Sequence, residues 1–585
     1  MFRLTSLTPK TILPRTPLKI LRTLSLKPPR AKGWTDPTPY NYAEYANQNT
    51  DDWAGAATRY EWQAEWNDEY GDIGPRNEEL EKQLFEGELI TRAGSRLQEL
   101  NNPLLVTCES ETDISAIGEW DDAGLHPIMR ENVRLCLYDK PTTVQSFVLP
   151  AVMQGKDVIG IAQTGSGKTG AFLIPILSKL MGKAKKLAAA RPDVTKEYNP
   201  AEDGVRAEPL VLVVCPTREL ATQIFDEARR LCYRSMLRPC VAYGGAPARF
   251  QRDELRKGCD ILIGTPGRIL DFMGQPHVLS LRRVRFTVID EADELLQIDW
   301  EDDFKKIMSG GDMNEDDDHR YMMFSATFDK ECRKLARTYL GASHIRVRVG
   351  RPGSSHLNVT QTLNKVLYVD DNKKKQALYD LLLSMVPIRT LVFVNNKEQV
   401  DYVDDFLFHK GLPSTSIHGG RTQREREDAI RSFRSARCPI MVATGLSARG
   451  LDIVNVMHVI NFDLPKVQHG GTTEYIHRIG RTARIGNEGV ATSFYNENDQ
   501  DIATDLVKIL IECNQTIPDF LEEFRPDEND ITFDDDTDKD EPNSDSESDD
   551  AEKDHEEDSA QQQSPGGTAD SLWASNEPQE SGQAW

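Results

Sequence analysis

Asp157-Val158-Ile159-Gly160-Ile161-Ala162-Gln163-Thr164-Gly165-Ser166-Gly167-Lys168-Thr169 reads as an apolar strand, a glycine-rich turn and the opening of an apolar helix pattern, in that order. Glycines at a strand-to-helix turn let backbone N–H groups curl around phosphate oxygens, where the helix dipole also favours an anion. Lys168 at the helix start would reach the β- and γ-phosphates, and the Thr169 hydroxyl would ligate Mg²⁺. Ala162 stands where the generic phosphate-loop pattern has its first glycine. A chance Gly/Ser loop lacks the strand before it and the Lys-Thr after it.

Working outward, short apolar runs alternate with helical patterns at Asp157–Ile161, Val211–Cys215, Ile261–Gly264, Phe286–Ile289 and Tyr321–Phe324. A second series follows at Thr390–Val394, Ser414–Ile417, Ile440–Ala443, His458–Phe462 and Val490–Phe494. Apolar strands separated by helices imply parallel sheets covered on both faces. Gly350-Arg351-Pro352-Gly353-Ser354-Ser355 between the series is turn-rich. The expected fold is therefore α/β, two similar parallel-sheet domains joined by a short hinge. Residues 183–208 read as an insertion looping out of the first domain.

The Phe286–Ile289 run ends in Asp290-Glu291-Ala292-Asp293. Acids at the tip of a parallel strand beside a phosphate loop suit Mg²⁺ binding by Asp290 and orientation of the attacking water by Glu291. NTP hydrolysis follows, by either a switch-like enzyme or a motor acting on a polymer. The second series carries His477-Arg478-Ile479-Gly480-Arg481-Thr482-Ala483-Arg484, with arginines three apart. Such arginines are common on surfaces. Offered by a second domain to a nucleotide held in the first, they fit hydrolysis that depends on closure.

In this order over residues 119–495 the sequence resembles the DEAD-box RNA helicases. The resemblance implies two tandem RecA-like domains, ATP as substrate, Mg²⁺ as cofactor, and RNA as a largely sequence-independent partner. Trp120, Tyr138 and Gln145 stand where the family reads adenine, joined by the loop from Ala162 through Gln163, Thr164, Gly165, Ser166, Gly167, Lys168 and Thr169, and by Asp452 at the ribose. Arg481 and Arg484 correspond to the arginine fingers that act with Lys168, Asp290 and Glu291. Asp293, Ser325 and Thr327 match the segments coupling nucleotide state to strand separation, and His477 and Arg478 look like coupling members of the network between the domains. RNA contact falls to Pro216, Thr217, Arg218, Gly244, Gly245, Thr265, Pro266, Gly267 and Arg268 in the first domain, and to Gln423, Arg426 and Thr444 in the second. Small, hydroxylated and glycine residues with arginines suit phosphates and sugars better than base edges. Gly420 stands where the family has Asp, removing a carboxylate near the RNA-facing loop.

The expected boundaries are a disordered extension over 1–118, domains over 119–350 and 359–525 with a hinge at 351–358, and an acidic tail over 526–585. The formal net charge of −24 is uneven: Asp527–Asp558 holds 18 acidic and 2 basic residues, so the average says little about the folded part. Residues 1–35 carry eight Lys/Arg and no acid, which suits either a mitochondrial presequence or a basic disordered arm. Pro75–Phe85 reads as a short amphipathic helix. That stretch, with the tail and its Trp573 and Trp585, most resembles the Ded/Vasa branch, which is cytoplasmic or perinuclear and acts in translation and RNP remodelling. No apolar run is long enough to span a bilayer, and a monomer is expected. The nine scattered cysteines show no metal-ligand spacing. An ATP-gated RNA clamp that barely unwinds, and a DNA helicase, remain as readings of the same motifs.

Overall fold

A computed structural model describes residues 33–37, 58–59, 73–86, 106–110 and 114–526, less 163–164, 193–197, 200–201, 298–300, 310–318, 329, 342, 350–361, 449–455, 483–488 and 514. The first sheet comprises β1 (Val106–Glu109), β2 (Val158–Ile161), β3 (Val211–Val214), β4 (Pro239–Ala242), β5 (Ile261–Gly264), β6 (Phe286–Asp290), β7 (Arg320–Ser325) and β8 (Ile345–Val349). Its order is β1-β8-β2-β7-β6-β3-β5-β4. Its neighbours run parallel except β1, which pairs antiparallel with β8, Val106 opposite Val349. The second sheet comprises β9 (Thr362–Tyr368), β10 (Thr390–Val394), β11 (Ser414–Ile417), β12 (Ile440–Thr444), β13 (His458–Asn461) and β14 (Gly489–Tyr495). It is parallel throughout, in the order β11-β12-β10-β13-β14-β9.

Each sheet lies between two buried layers. Along β3, Val211 and Val213 join one core cluster while Leu212 and Val214 join the other. Along β10 the split is Val392 and Val394 against Leu391 and Phe393. Burial on both faces is why these strands read as unbroken apolar runs. Gly160 in β2 lies so close to Phe324 of β7 that an added Cβ would stand 2.5 Å from the ring, so the phosphate-loop strand is seated where only glycine fits.

Two expectations change. The first domain begins before residue 119. Helix Glu78–Phe85 is capped by Asn77, whose Oδ1 accepts from Leu80 N at 3.1 Å. Leu80, Leu84 and Phe85 are buried in the first domain's core, with Phe85 edge-on to Tyr233 at 5.6 Å. With β1, these described parts of 1–118 belong to the packed unit, because docking buries an apolar face that the short helix could not satisfy alone. Further upstream, Trp34 is buried among Leu378, Leu382 and Val392 of the second domain. Nor does the insertion loop out at its start: Arg191 reaches Met236 O at 2.7 Å and ion-pairs with Asp260, and Arg283 donates to Leu187 O. The tail beyond Pro526 and the 350–361 linker lie outside the described residues.

Candidate active site

The phosphate loop leaves the tip of β2, next to β7 and one strand from β6, at the strand ends where ligands of open α/β sheets gather. Ala162 N donates to Ser325 O at 3.0 Å, carrying the ladder one residue past the strand. Gly165 (φ +82°) and Gly167 (φ +92°) turn the chain through left-handed backbone into helix Lys168–Met181. A Cβ at Gly167 would stand 2.8 Å from Gln145 Nε2 and 2.9 Å from Thr142 Oγ1. That closeness is functional, because Gln145 bridges two loops: its Oε1 accepts from Thr142 N at 2.9 Å and its Nε2 donates to Gly167 O at 3.1 Å. Gln163 and Thr164 lie outside the described residues. Trp120 and Tyr138 line a cleft of ≈ 250 Å³ with Glu119, Asp121, Arg134, Leu137 and Asp139.

Asp290 ends β6 in full burial, and its Oδ1 accepts from Glu291 N at 3.1 Å. Glu291 has φ +52°, a conformation rare outside glycine that persists where the surroundings over-determine it. The turn brings its carboxylate to Lys168 Nζ at 3.1 Å, both side chains buried. Burial opposes the charge on Lys168, yet Glu291, Asp290 and Asp293 outweigh it and hold the ammonium above its ordinary range. Burial, with Glu291 beside it, pushes Asp290 up to about 7.

Asp293 joins three segments. Its backbone N donates to Ser325 Oγ at 3.3 Å, its Oδ2 accepts from Thr327 N at 3.1 Å and Thr327 Oγ1 at 2.8 Å, and His477 Nε2 lies 3.4 Å from that oxygen. Although burial would raise it, the His477 contact, Lys168 and the Thr327 hydroxyl hold the carboxyl far below the usual range. Arg481, buried just past the end of helix Gly471–Ile479 that carries His477, donates from Nε to His477 O at 3.0 Å. Arg478 sits differently from its expected place between the domains. It donates to Glu474 Oε1, Asp463 O and Asn395 Oδ1 at 2.7, 2.9 and 3.1 Å, and stacks over Phe393. All these partners belong to the second domain, so Arg478 braces the helix that presents His477. Arg484 and Asp452 lie outside the described residues.

The segments matched to RNA contact gather at a second locus. Thr217 caps helix Arg218–Leu231, following Pro216, and Arg218 packs so tightly on Gly244-Gly245 that a Cβ at Gly245 (φ +82°) would stand 2.0 Å from its Nη1. Thr265 starts helix Pro266–Met273, which holds Gly267 and Arg268; Arg268 donates to Ala246 O at 3.1 Å and Gln251 Oε1 at 3.0 Å. Gln423 and Arg426 of the second domain reach this locus: Arg218 Nη1 donates to Gln423 Oε1 at 3.3 Å, and Arg426 pairs with Glu219 at 2.8 Å. Thr444, at the end of β12, donates to Ser447 Oγ at 3.0 Å. Burial and the neighbouring Arg426 charge lower the Arg218 pKa, and burial, opposed by Asp271, lowers that of Arg268. Crowded arginines are relieved by an anion such as phosphate. Near Gly420, Asp401 of helix Lys397–His409 lies 3.2 Å from His418 Nε2 and pairs with Arg421 at 2.6 Å.

Three residues take roles that the sequence did not assign to them. Gln251 grips both Tyr243 N and O, at 3.1 and 3.0 Å, fixing the strand that enters Gly244-Gly245. Glu219 forms the first-domain side of the contact with Arg426, and Glu227 accepts from the Tyr138 hydroxyl. An acid inside an amphipathic helix reads as a solvated face, and its partner lies far away in sequence, so no local signal marked the partners of the last two.

The geometry defines a P-loop nucleoside-triphosphatase of two RecA-like domains. Residues 142–335 match the DEAD/DEAH box helicase family and residues 373–486 the helicase conserved C-terminal domain, together more than half of the chain. S. cerevisiae Dbp5 bound to RNA and ADP BeF3 is 25% identical, with a TM-score of 0.56 over 68% of this chain and 94% of that one. Mss116p bound to ssRNA and AMP-PNP shares the fold at 24% identity and a TM-score of 0.55, over 72% of this chain and 90% of that one. Prp28 from Chaetomium thermophilum, bound to ADP, is 30% identical over 71% of this chain and 94% of that one, with a TM-score of 0.35. The chain belongs to the DEAD-box helicase family, and ATP is its nucleotide.

Proposed function

We propose that this chain couples ATP binding and hydrolysis to local opening of RNA duplexes and remodelling of RNA–protein complexes, in translation or mRNA metabolism. One observation carries the reading: the second domain meets the first at both loci, through His477 at Asp293 beside the hydrolytic acids and through Arg426 at Glu219 beside the arginine cluster. ATP and an RNA strand can therefore each favour the same closed arrangement.

The phosphates would take Lys168 from Glu291, leaving that carboxylate to orient a water on the γ-phosphorus. The water oxygen bonds to phosphorus, its proton passes to Glu291, and the bridging bond breaks to leave ADP and inorganic phosphate. The buried Ser166 Oγ, which has no hydrogen-bond partner among the described residues, fits a phosphate oxygen. Mg²⁺ suits the hard oxygen donors of Asp290 and Thr169, where it would screen the phosphate charge. Arg481 and Arg484 would offset charge on the transferring group. Thr217, Arg218, Thr265, Arg268, Gln423 and Thr444 would hold one strand by phosphates and sugars, bending it and expelling its complement.

The test is ATP turnover and strand displacement on a short RNA duplex, side by side. Displacement tied to turnover supports the helicase; RNA-stimulated turnover without it supports an ATP-gated clamp, and equal stimulation by DNA removes the RNA preference. The likeness to the Ded/Vasa branch and a cytoplasmic residence rest on the N-terminal segment and acidic tail, and the chain is proposed to act as a monomer. A mature N-terminus near residue 32 in native protein would instead mark mitochondrial import. Protein partners would be met by those same extensions.

A further inference from the structure

Helix Arg218–Leu231, 14 residues long, spans about 21 Å and touches different machinery near its two ends. In its first turn, Arg218 and Glu219 meet Gln423 and Arg426 of the second domain. Two turns on, Glu227 is buried, and its Oε1 accepts from the hydroxyl of Tyr138 in the cleft beside Trp120. Its other oxygen accepts from Arg230 Nη2 on the same helix. A phenol that only stacked on a base would gain nothing from its hydroxyl. Here the hydroxyl is anchored by an acid whose other oxygen is held by a guanidinium, a charge-assisted arrangement with little freedom to turn.

We propose that Glu227 is a positioning residue, fixing the Tyr138 ring against the adenine of ATP and making the base cleft and the domain seam two parts of one rigid helix. The inference rests on the reading that ATP occupies this cleft and that RNA-dependent closure drives hydrolysis. A base settling on Tyr138 bears on Glu227, and through the helix on Arg218 and Glu219. RNA and the second domain, gripping Arg218 and Glu219, bear on the ring in return. Linkage makes that coupling reciprocal: RNA lowers the KM for ATP by the factor by which ATP tightens RNA, to the extent that KM reports binding.

Tyr138→Phe and Glu227→Gln in the full chain test it, with RNA-stimulated turnover measured against ATP and GTP at several RNA concentrations. Tyr138→Phe keeps the ring and deletes only the donor. Each variant is expected to raise KM for ATP about fivefold more than it lowers kcat, to narrow the preference for ATP over GTP, and to shrink the RNA effect on KM at least twofold. The double variant should be no worse than either single one, since both break one linkage. Wild-type KM, base preference and RNA effect in Tyr138→Phe would overturn the proposal, as would equal falls in kcat and thermal stability with KM unmoved. If the wild-type chain itself showed no RNA-stimulated ATP turnover, the functional reading beneath it would fail instead.

Discussion

His477 Nε2 of the second domain lies 3.4 Å from Asp293 Oδ2 of the first, and that oxygen also accepts from Thr327 N and Oγ1. One buried carboxylate thus ties the strand-tip acids, the Ser325-Ala326-Thr327 segment and the second domain. Its depressed pKa means that the ionised form is the one these partners hold. Asp293→Asn and His477→Ala should each reduce RNA-stimulated turnover by about tenfold to a hundredfold, the value of roughly 1.5–3 kcal/mol for a hydrogen bond to a charged group. Nucleotide binding without RNA should change far less. Steady-state ATPase beside equilibrium binding of a fluorescent ATP analogue separates the two.

Lys168 and Glu291 form the other decisive pair. Glu291→Gln should retain ATP binding yet lose more than about a hundredfold in turnover, because the group that takes the water's proton is gone. Lys168→Ala should lose both, and should also lower the melting temperature. Removing the ammonium leaves Glu291, Asp290 and Asp293 buried together without their shared cation, a change that costs several kcal/mol when a buried pair is broken. Single-turnover hydrolysis and thermal melts of both variants check this; persistent hydrolysis by either would unseat the assignment.

The phosphate loop and Asp290-Glu291 were legible because strand, turn and helix follow within a dozen residues, so local sequence holds the whole device. β4 and β8 were not. Pro239–Ala242 is short and opens on proline, while Ile345–Val349 interleaves Arg346 and Arg348 with valines. The Arg346 guanidinium lies over the Phe328 ring at 4.7 Å, so tertiary packing covers its charge and masks the strand pattern. Tyr138–Glu227 and Arg426–Glu219 were invisible for a different reason. Each joins residues dozens to hundreds of positions apart, and an isolated acid carries no sign of its partner.

Trp34 tests whether the upstream segment is part of the folded unit. It is 2% exposed and shares a cluster with Leu378 and Leu382 of helix Lys374–Ser384, while the neighbouring Gly33 lies against Pro387. Trp34→Ala should destabilise the second domain by about 3 kcal/mol, the usual cost of emptying a large aromatic site. Trp34→Phe should recover much of that. Chemical denaturation followed by circular dichroism reads both; a variant as stable as wild type would show that the tryptophan contributes no packing.

His458 in β13 gives the second domain a pH-dependent stability. Its Nε2 lies 2.9 Å from Thr492 Oγ1, and burial, with Lys365 nearby, lowers its pKa to about 4. The unfolded chain, with an ordinary value near 6.5, binds a proton that the folded chain refuses between those two values. This contribution is therefore complete above about pH 6.5, falls by up to roughly 1.4 kcal/mol per pH unit below it, and levels off near pH 4. Carboxylates titrate across the same acid range, so the wild-type curve alone does not isolate the histidine. His458→Gln can still bond Thr492 but has no proton to gain. Wild type should lose about 1 kcal/mol more than the variant on moving from pH 7.5 to 5.5, measured by denaturant titration at each pH. Parallel losses in the two proteins would mean that His458 takes up its proton as readily folded as unfolded.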